Sequence, residues 1–240
     1  MSQVRLTEKT AVITGAGGVL GAEVLRLFLE EGARCVAVTH GASSAERVAA
    51  IAAQFPESCH AVQTDVTSPE EVANLRTACL EVFGPPQILA NLVGGFAAGK
   101  QLWEWDVAEY QHMLALNLTS AFLCCRAFLP DMLAAKYGRI VNVASRAALV
   151  PRARQVPYAI AKAGVVALTQ SLREELKGTG VAVCAVVPSM IDSPAARAEN
   201  PQADPGKWIQ PADLARVILY ACTEDGGLLS GGLLPVYGGL

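Results

Sequence analysis

Residues 14–21 read TGAGGVLG, a glycine-rich turn set between the apolar run 10–14 (TAVIT) and a periodic apolar stretch over 19–31. Reading this turn decides the fold. A tight turn leaving a strand places the next helix's N-terminus beyond the strand end. There its unpaired N–H groups and the positive end of its dipole stabilise a pyrophosphate. A glycine turn also joins strands to helices for steric reasons alone, so the pattern by itself is weak. Its position, after the first strand and at the opening of the first helix, is the context the phosphate-binding reading requires. Val19 stands where such a turn often carries its middle glycine, and Gly18 precedes it.

Outward from the turn, short apolar runs recur at 35–39, 60–64, 87–91, 139–144, 181–187 and 233–236. Helical periodicity fills 43–54, 69–83, 106–136, 157–177 and 211–224. Strands apolar on both faces, alternating with amphipathic helices, predict βαβ units and a parallel sheet covered on both sides. The expected fold is therefore α/β, a Rossmann-type doubly wound, seven-stranded parallel sheet with helices on both faces. One domain is expected over 1–240. Its irregular stretch is 188–210, with several prolines and mixed polarity, which reads as an excursion from the sheet that covers a ligand.

The 240 residues are 52% hydrophobic and 17% charged, a balance that supports a sizeable core and argues against disorder. A net charge of −3 without a dense basic cluster argues against nucleic acid as a partner. No signal-like N-terminus and no apolar run of membrane-spanning length stand out, so a cytoplasmic protein with no membrane partner is expected. Cysteines 35, 59, 79, 124, 125, 184 and 222 are scattered without a CxxC pair, which predicts reduced, buried thiols and no metal site. His40, His60 and His112 share no ligand spacing and read as surface or strand-end residues.

TGAGGVLG, Asp65 in TDVT, NLVGG at 91–95, Asn117, Ser145, and Tyr158 with Lys162 in YAIAK follow one another in this order. Together they resemble the short-chain dehydrogenase/reductase family over essentially the whole chain, and LLPVYGGL at 233–240 resembles its last strand and tail. The Tyr-x-x-x-Lys spacing puts both side chains on one helix face. Two departures, Val19 in the turn and NLVGG in place of NNAG, resemble the dihydropteridine reductase branch, as do segments 94–99 and 188–208.

The resemblance implies a nicotinamide cofactor held by Gly15, Gly17, Gly18, Val19, Leu20 and Gly21, with Gly18 giving the close backbone approach. Thr39 and His40 flank the adenosine ribose, Asp65 contacts the adenine, and the Asn91 backbone contacts its ribose. Val66, Gly94, Pro188 and Ile191 complete the cofactor-binding set, and Lys162 holds the nicotinamide ribose. Tyr158 is the expected proton donor and acceptor; a lysine ammonium one turn away lowers the phenol's pKa. Ser145 hydrogen-bonds the reacting oxygen. Asn117, at a break in the long helix, holds a water of a proton relay.

Thr39 offers no carboxylate to repel a 2′-phosphate, which favours NADP(H), while NAD(H) stays open because no arginine or lysine occupies Gly18 or His40. The substrate is expected to be a small carbonyl or alcohol. A quinonoid pterin is the alternative, and a catalytically silent nucleotide-binding regulator a further one. An intact serine–tyrosine–lysine set favours the carbonyl. Arg146, Arg152 and Arg154 read first as a solvated rim that could also attract an anionic substrate, and Trp103 and Trp105 as mouth or packing residues. The apolar faces of 106–136 and 157–177 predict a homotetramer or a homodimer.

Overall fold

A computed structural model describes residues 5–239. The first four residues and Leu240, at the ends of the expected domain and of the LLPVYGGL tail, lie outside the described residues. Seven strands form one parallel sheet: β1 Thr10–Thr14, β2 Arg34–Thr39, β3 Cys59–Gln63, β4 Ile88–Asn91, β5 Gly138–Val143, β6 Val181–Pro188 and β7 Leu233–Val236. Their spatial order is β3-β2-β1-β4-β5-β6-β7, all neighbours parallel. The expected fold class is the observed one.

The strands obey the period-2 rule of a sheet buried on both sides. Ala11 and Ile13 face one core while Val12 faces the other, and Cys184 and Val183 divide in the same way. The first core takes its helical side chains from α1 Val19–Glu30, α2 Ala42–Ala52 and α8 Pro211–Cys222, led by Phe28, Leu25, Leu214 and Ile218. The second takes them from α3 Pro69–Phe83, α5 Ser120–Ala134 and α6 Val156–Glu175, led by Phe128, Leu75 and Met132. Strands β1, β4 and β6 are buried along their full length, whereas the edge strands β3 and β7 are partly exposed.

The periodic segment 106–136 is divided within its length. Helix α4, Val107–Leu114, passes through a π turn at Ala115–Thr119 into α5. The combined run Val107–Ala134 is long and apolar enough to cross a membrane. In this fold its apolar face lies on the sheet, with Leu123, Cys124, Phe128 and Met132 in the core. All seven cysteines are free and buried, as their scatter predicts.

Candidate active site

The strand order reverses between β1 and β4, which pair Thr14 with Asn91. At such a switch point the loops leaving the two strands part in opposite directions and open a crevice at their carboxyl ends. The glycine turn after β1 and NLVGG after β4 therefore share one rim. The Leu92 N–H donates to Thr14 Oγ1 at 3.1 Å, tying the two loops together.

Gly15 has φ +68, the left-handed region that favours glycine. A Cβ on Gly21 would lie 2.0 Å from the Gly15 carbonyl, and one on Gly17 would lie 2.5 Å from Ser44. Close packing thus requires glycine at 17 and 21. Gly18 caps α1 facing outward, and nothing but the Gly15 carbonyl, at 3.2 Å, would meet a side chain there. No side chain caps this helix, so the N–H groups of Val19, Leu20 and Gly21 are left for an anion. Valine at 19 is tolerated because its side chain is exposed.

Thr39 ends β2 buried, and the exposed His40 donates its backbone N–H to Ser44 Oγ at 3.2 Å. The Arg47 guanidinium reaches back from α2 and donates to the Gly17 carbonyl. This arginine beside the turn escaped the sequence reading, although Arg47 lies one helical turn from Ser43 and Ser44. Asp65 accepts from the Thr67 hydroxyl at 2.7 Å and its N–H at 2.9 Å, and these bonds hold its carboxyl below the usual range. One Asp65 oxygen is committed to its own turn; Val66 beside it is buried.

Ser145 follows β5, and Tyr158 and Lys162 lie in the first two turns of α6. The Ser145 hydroxyl accepts the Ala147 N–H at 3.2 Å, and its side chain draws the pKa of the Tyr158 phenol downward against the effect of burial. Lys162 Nζ donates to the Val143 carbonyl at 2.8 Å. Asn117 sits buried in the π turn, where its Oδ1 accepts the Gly95 N–H at 3.1 Å and its Nδ2 donates to the Met113 carbonyl at 3.1 Å. A Cβ on Gly94 would fall 2.8 Å from Asn117 Oδ1 and 3.1 Å from Lys162 Nζ. The expected helix break at Asn117 is therefore present, and Gly94 lets the fourth-strand loop lie against both side chains.

Burial raises the Tyr158 phenol above its ordinary value, and the group opposing that rise is Ser145 rather than Lys162. The lysine hydrogen-bonds the Val143 carbonyl, and its own burial lowers it to about 8. Desolvation of both groups outweighs any help from lysine to phenolate.

Behind the site runs a buried polar ladder that sequence reasoning missed. Asn91 Nδ2 donates to Asn142 Oδ1 at 2.8 Å, Asn142 Nδ2 to Thr169 Oγ1 at 2.9 Å, and Thr169 to the Val165 carbonyl at 2.8 Å. It ties β4 and β5 to α6; Ser145 follows β5, and Tyr158 stands on α6. Asn142, polar within RIVNVA, was its one visible sign. Phe96 stands edge-on to Tyr158, centroids 5.0 Å apart.

The excursion leaves β6 at Pro188 and closes where Ile191 bridges Ile209 in parallel. It contains α7, Pro194–Glu199, and Arg197 grips Asp192 with two bonds of 2.7 Å. Trp105 Nε1 donates to the Lys100 carbonyl at 3.1 Å, whereas Trp103 is 82% exposed, which separates a loop-packing residue from a surface one. The three histidines are exposed. A cavity of ≈ 410 Å³ lined by Arg139, Arg173 and Lys177 lies at the amino end of β6, opposite the end that carries the site.

This arrangement defines a nucleotide crevice next to a serine–tyrosine–lysine cluster. The short chain dehydrogenase family model matches residues 9–204, and the chain belongs to that family of oxidoreductases. An uncharacterized oxidoreductase of Staphylococcus aureus is 35% identical over 219 residues, covering 91% of this chain and 93% of that protein. A hydroxy(phenyl)methylsuccinyl-CoA dehydrogenase subunit of Thauera aromatica is 34% identical, covering 98% and 97%.

Proposed function

We propose that this chain moves hydride between NADP(H) and a carbonyl/alcohol pair, with Tyr158 as proton donor and acceptor. The observation that carries this reading is the convergence of Lys162 Nζ and Asn117 Oδ1 on Gly94, one helical turn from Tyr158 and beside the turn that carries Ser145. A carbonyl oxygen received between Ser145 and Tyr158 meets two donors. The tyrosine gives up its proton as the oxygen gains charge, while the serine stabilises that charge. A phenol at its ordinary value near 10 is already protonated at neutral pH, the state that reduction needs, and burial moves it further in that direction. Lys162 and Asn117, brought together at Gly94, line the route by which that proton is replaced.

The residues of the turn fit a dinucleotide: uncapped N–H groups of α1 face outward, and side chains at 17 or 21 would collide with the cradle. The nicotinamide, when bound, supplies or accepts the hydride. Two features favour the 2′-phosphate form: the missing carboxylate at Thr39 and the Arg47 guanidinium beside the turn. The Thauera aromatica relative is named as a dehydrogenase of a hydroxyl-bearing acyl-CoA, which agrees with an alcohol/carbonyl pair. Ser145 favours this over the pterin reading, since hydride transfer to a pterin ring does not need a donor to a carbonyl oxygen.

Buried reduced thiols agree with a cytoplasmic setting. Exposed Phe122 and Leu133 on α5 and Ile160 on α6 agree with self-association of these helices, as in a homotetramer.

A turnover screen of ketones, ketoacyl thioesters and quinonoid pterins with both reduced cofactors tests the reading. Tyr158→Phe is expected to lower turnover of the best carbonyl by about 10²-fold or more while fluorescence titration still shows cofactor binding. Near-normal turnover by that variant refutes it.

A further inference from the structure

Between Ser145 and Tyr158 the chain reads RAALVPRARQVP, three arginines and no acid. Elsewhere, Arg5, Arg26, Arg76, Arg139, Arg173, Arg197 and Arg216 each lie within 4.0 Å of a carboxylate, while Arg34, Arg47 and Arg126, scattered on separate elements, do not. Among the described residues Arg146, Arg152 and Arg154 have no such partner, so three cations on one short connection beside the reacting groups stay uncompensated. A solvated rim would tolerate this, but two further features separate the segment from an ordinary rim.

Arg146 is half-buried, and its guanidinium lies 5.0 Å from the centroid of the Tyr237 ring. A ring face orients a guanidinium without neutralising it and leaves its N–H edge available for an anion. Tyr237 is fixed in turn, since its carbonyl accepts the Ser189 hydroxyl at 2.8 Å. Arg154 has φ +65, one of three non-glycine residues in the left-handed region among those described. That conformation costs a non-glycine residue energy and persists only where the surroundings enforce it. Here the Gly99 N–H donates to the Arg154 carbonyl at 2.8 Å, which locks the arginine segment to the loop carrying Phe96. Phe96 meets Tyr158 edge-on, and Leu149 and Val150 are exposed on the same connection as the arginines.

Cations without counter-ions and exposed apolar side chains thus share the short connection that joins Ser145 to Tyr158. We infer that the substrate carries an anionic group, a carboxylate or a phosphate, on an apolar body, and that Arg146 binds this anion while Arg152 and Arg154 draw it in. The inference rests on the proposed carbonyl chemistry for the position of the reacting oxygen. Ser145 and Tyr158 take that oxygen, the apolar body lies along Phe96, and the anion reaches Arg146. A fork of N–H donors matches either anion in two-point fashion.

Equilibrium binding tests this separately from catalysis. Titration calorimetry with the protein saturated in oxidised cofactor, where no reduction can occur, compares 3-oxooctanoate with its methyl ester. A second arm compares the 3-oxooctanoyl thioester of phosphopantetheine with that of pantetheine, which distinguishes carboxylate from phosphate. The charged member of at least one pair should bind tenfold tighter or better. That preference should shrink with added salt and collapse in Arg146→Gln and in the Arg152→Gln/Arg154→Gln double variant. Equal binding of charged and neutral members in both arms, or a preference that survives both variants, overturns the inference. Reduction of the methyl ester with NADPH reports on the catalytic reading alone, so the two can fail independently.

Discussion

Removing the buried amine of Lys162 should change how stability depends on pH, and the size of the change follows from its surroundings. Burial lowers the ammonium from its ordinary 10.5 to about 8, in a residue only 4% exposed. At 1.36 kcal/mol per pH unit, that gap of about 2.5 disfavours the charged form in the folded protein by about 3 kcal/mol. Between pH 8 and 10.5 the unfolded lysine keeps its proton while the folded one has lost it. More protons on the unfolded chain mean that stability rises with pH through this window, and below it the full penalty applies. Lys162→Met has no such group. The stability of the wild type relative to the variant should therefore increase by about 3 kcal/mol on going from pH 7 to above pH 10.5. Losing the Nζ–Val143 bond and fitting a methyl group shift the offset between the two proteins, not its slope. The thiols and phenols that titrate in alkali are common to both and cancel. Reversible urea unfolding of the ligand-free proteins at several pH values measures the difference. A flat difference, or one that runs the other way, would show that Lys162 is not held in the dry site described.

Ser145→Ala should cost carbonyl reduction roughly 2–4 kcal/mol in kcat/KM, the scale for losing one oxyanion donor; unchanged reduction would favour the pterin chemistry. Gly94→Ala would drive a methyl toward Asn117 and Lys162, and overpacking of that kind costs roughly 1–3 kcal/mol. It should lower both the melting temperature and kcat, and a neutral effect on both would mean the loop has room to move. Thr39→Asp should shift the kcat/KM preference from NADPH toward NADH, because a carboxylate repels the 2′-phosphate and binds the ribose hydroxyls. A wild type that already prefers NADH contradicts the NADP(H) reading, and an unmoved preference in the variant means position 39 does not face that ribose.

The sheet was legible because its signals are local and repeated. Runs such as VAVCAVV, and the AVI within TAVIT, are too short for helices and apolar on successive positions, and a strand covered on both faces accommodates that. β7 begins and ends where LLPV does. The break between α4 and α5 was legible only through the family likeness of Asn117. ALNLT has no proline or glycine to mark it, and the true proline, Pro130, lies inside α5 without ending it.

The site divides along the same physical line. Ser145, Tyr158 and Lys162 stand out as candidates because the family likeness places them at fixed spacing on adjoining elements. Arg47, Asn142 and Thr169 act across elements: a side chain from α2 on a carbonyl of the turn, and a strand asparagine on a helix threonine. No periodicity encodes such contacts, which exist only once the sheet has ordered its strands. The surroundings of Tyr158 and Lys162 were hidden for a related reason. Spacing along a helix gives proximity, but the pKa of a buried pair depends on how much water the surrounding elements exclude and on what else each group binds. The Val143 carbonyl that takes the lysine belongs to β5, nineteen residues away. A tyrosine and a lysine one turn apart therefore mark a candidate proton-transfer pair, while the protonation state they adopt is set by the strand they rest on.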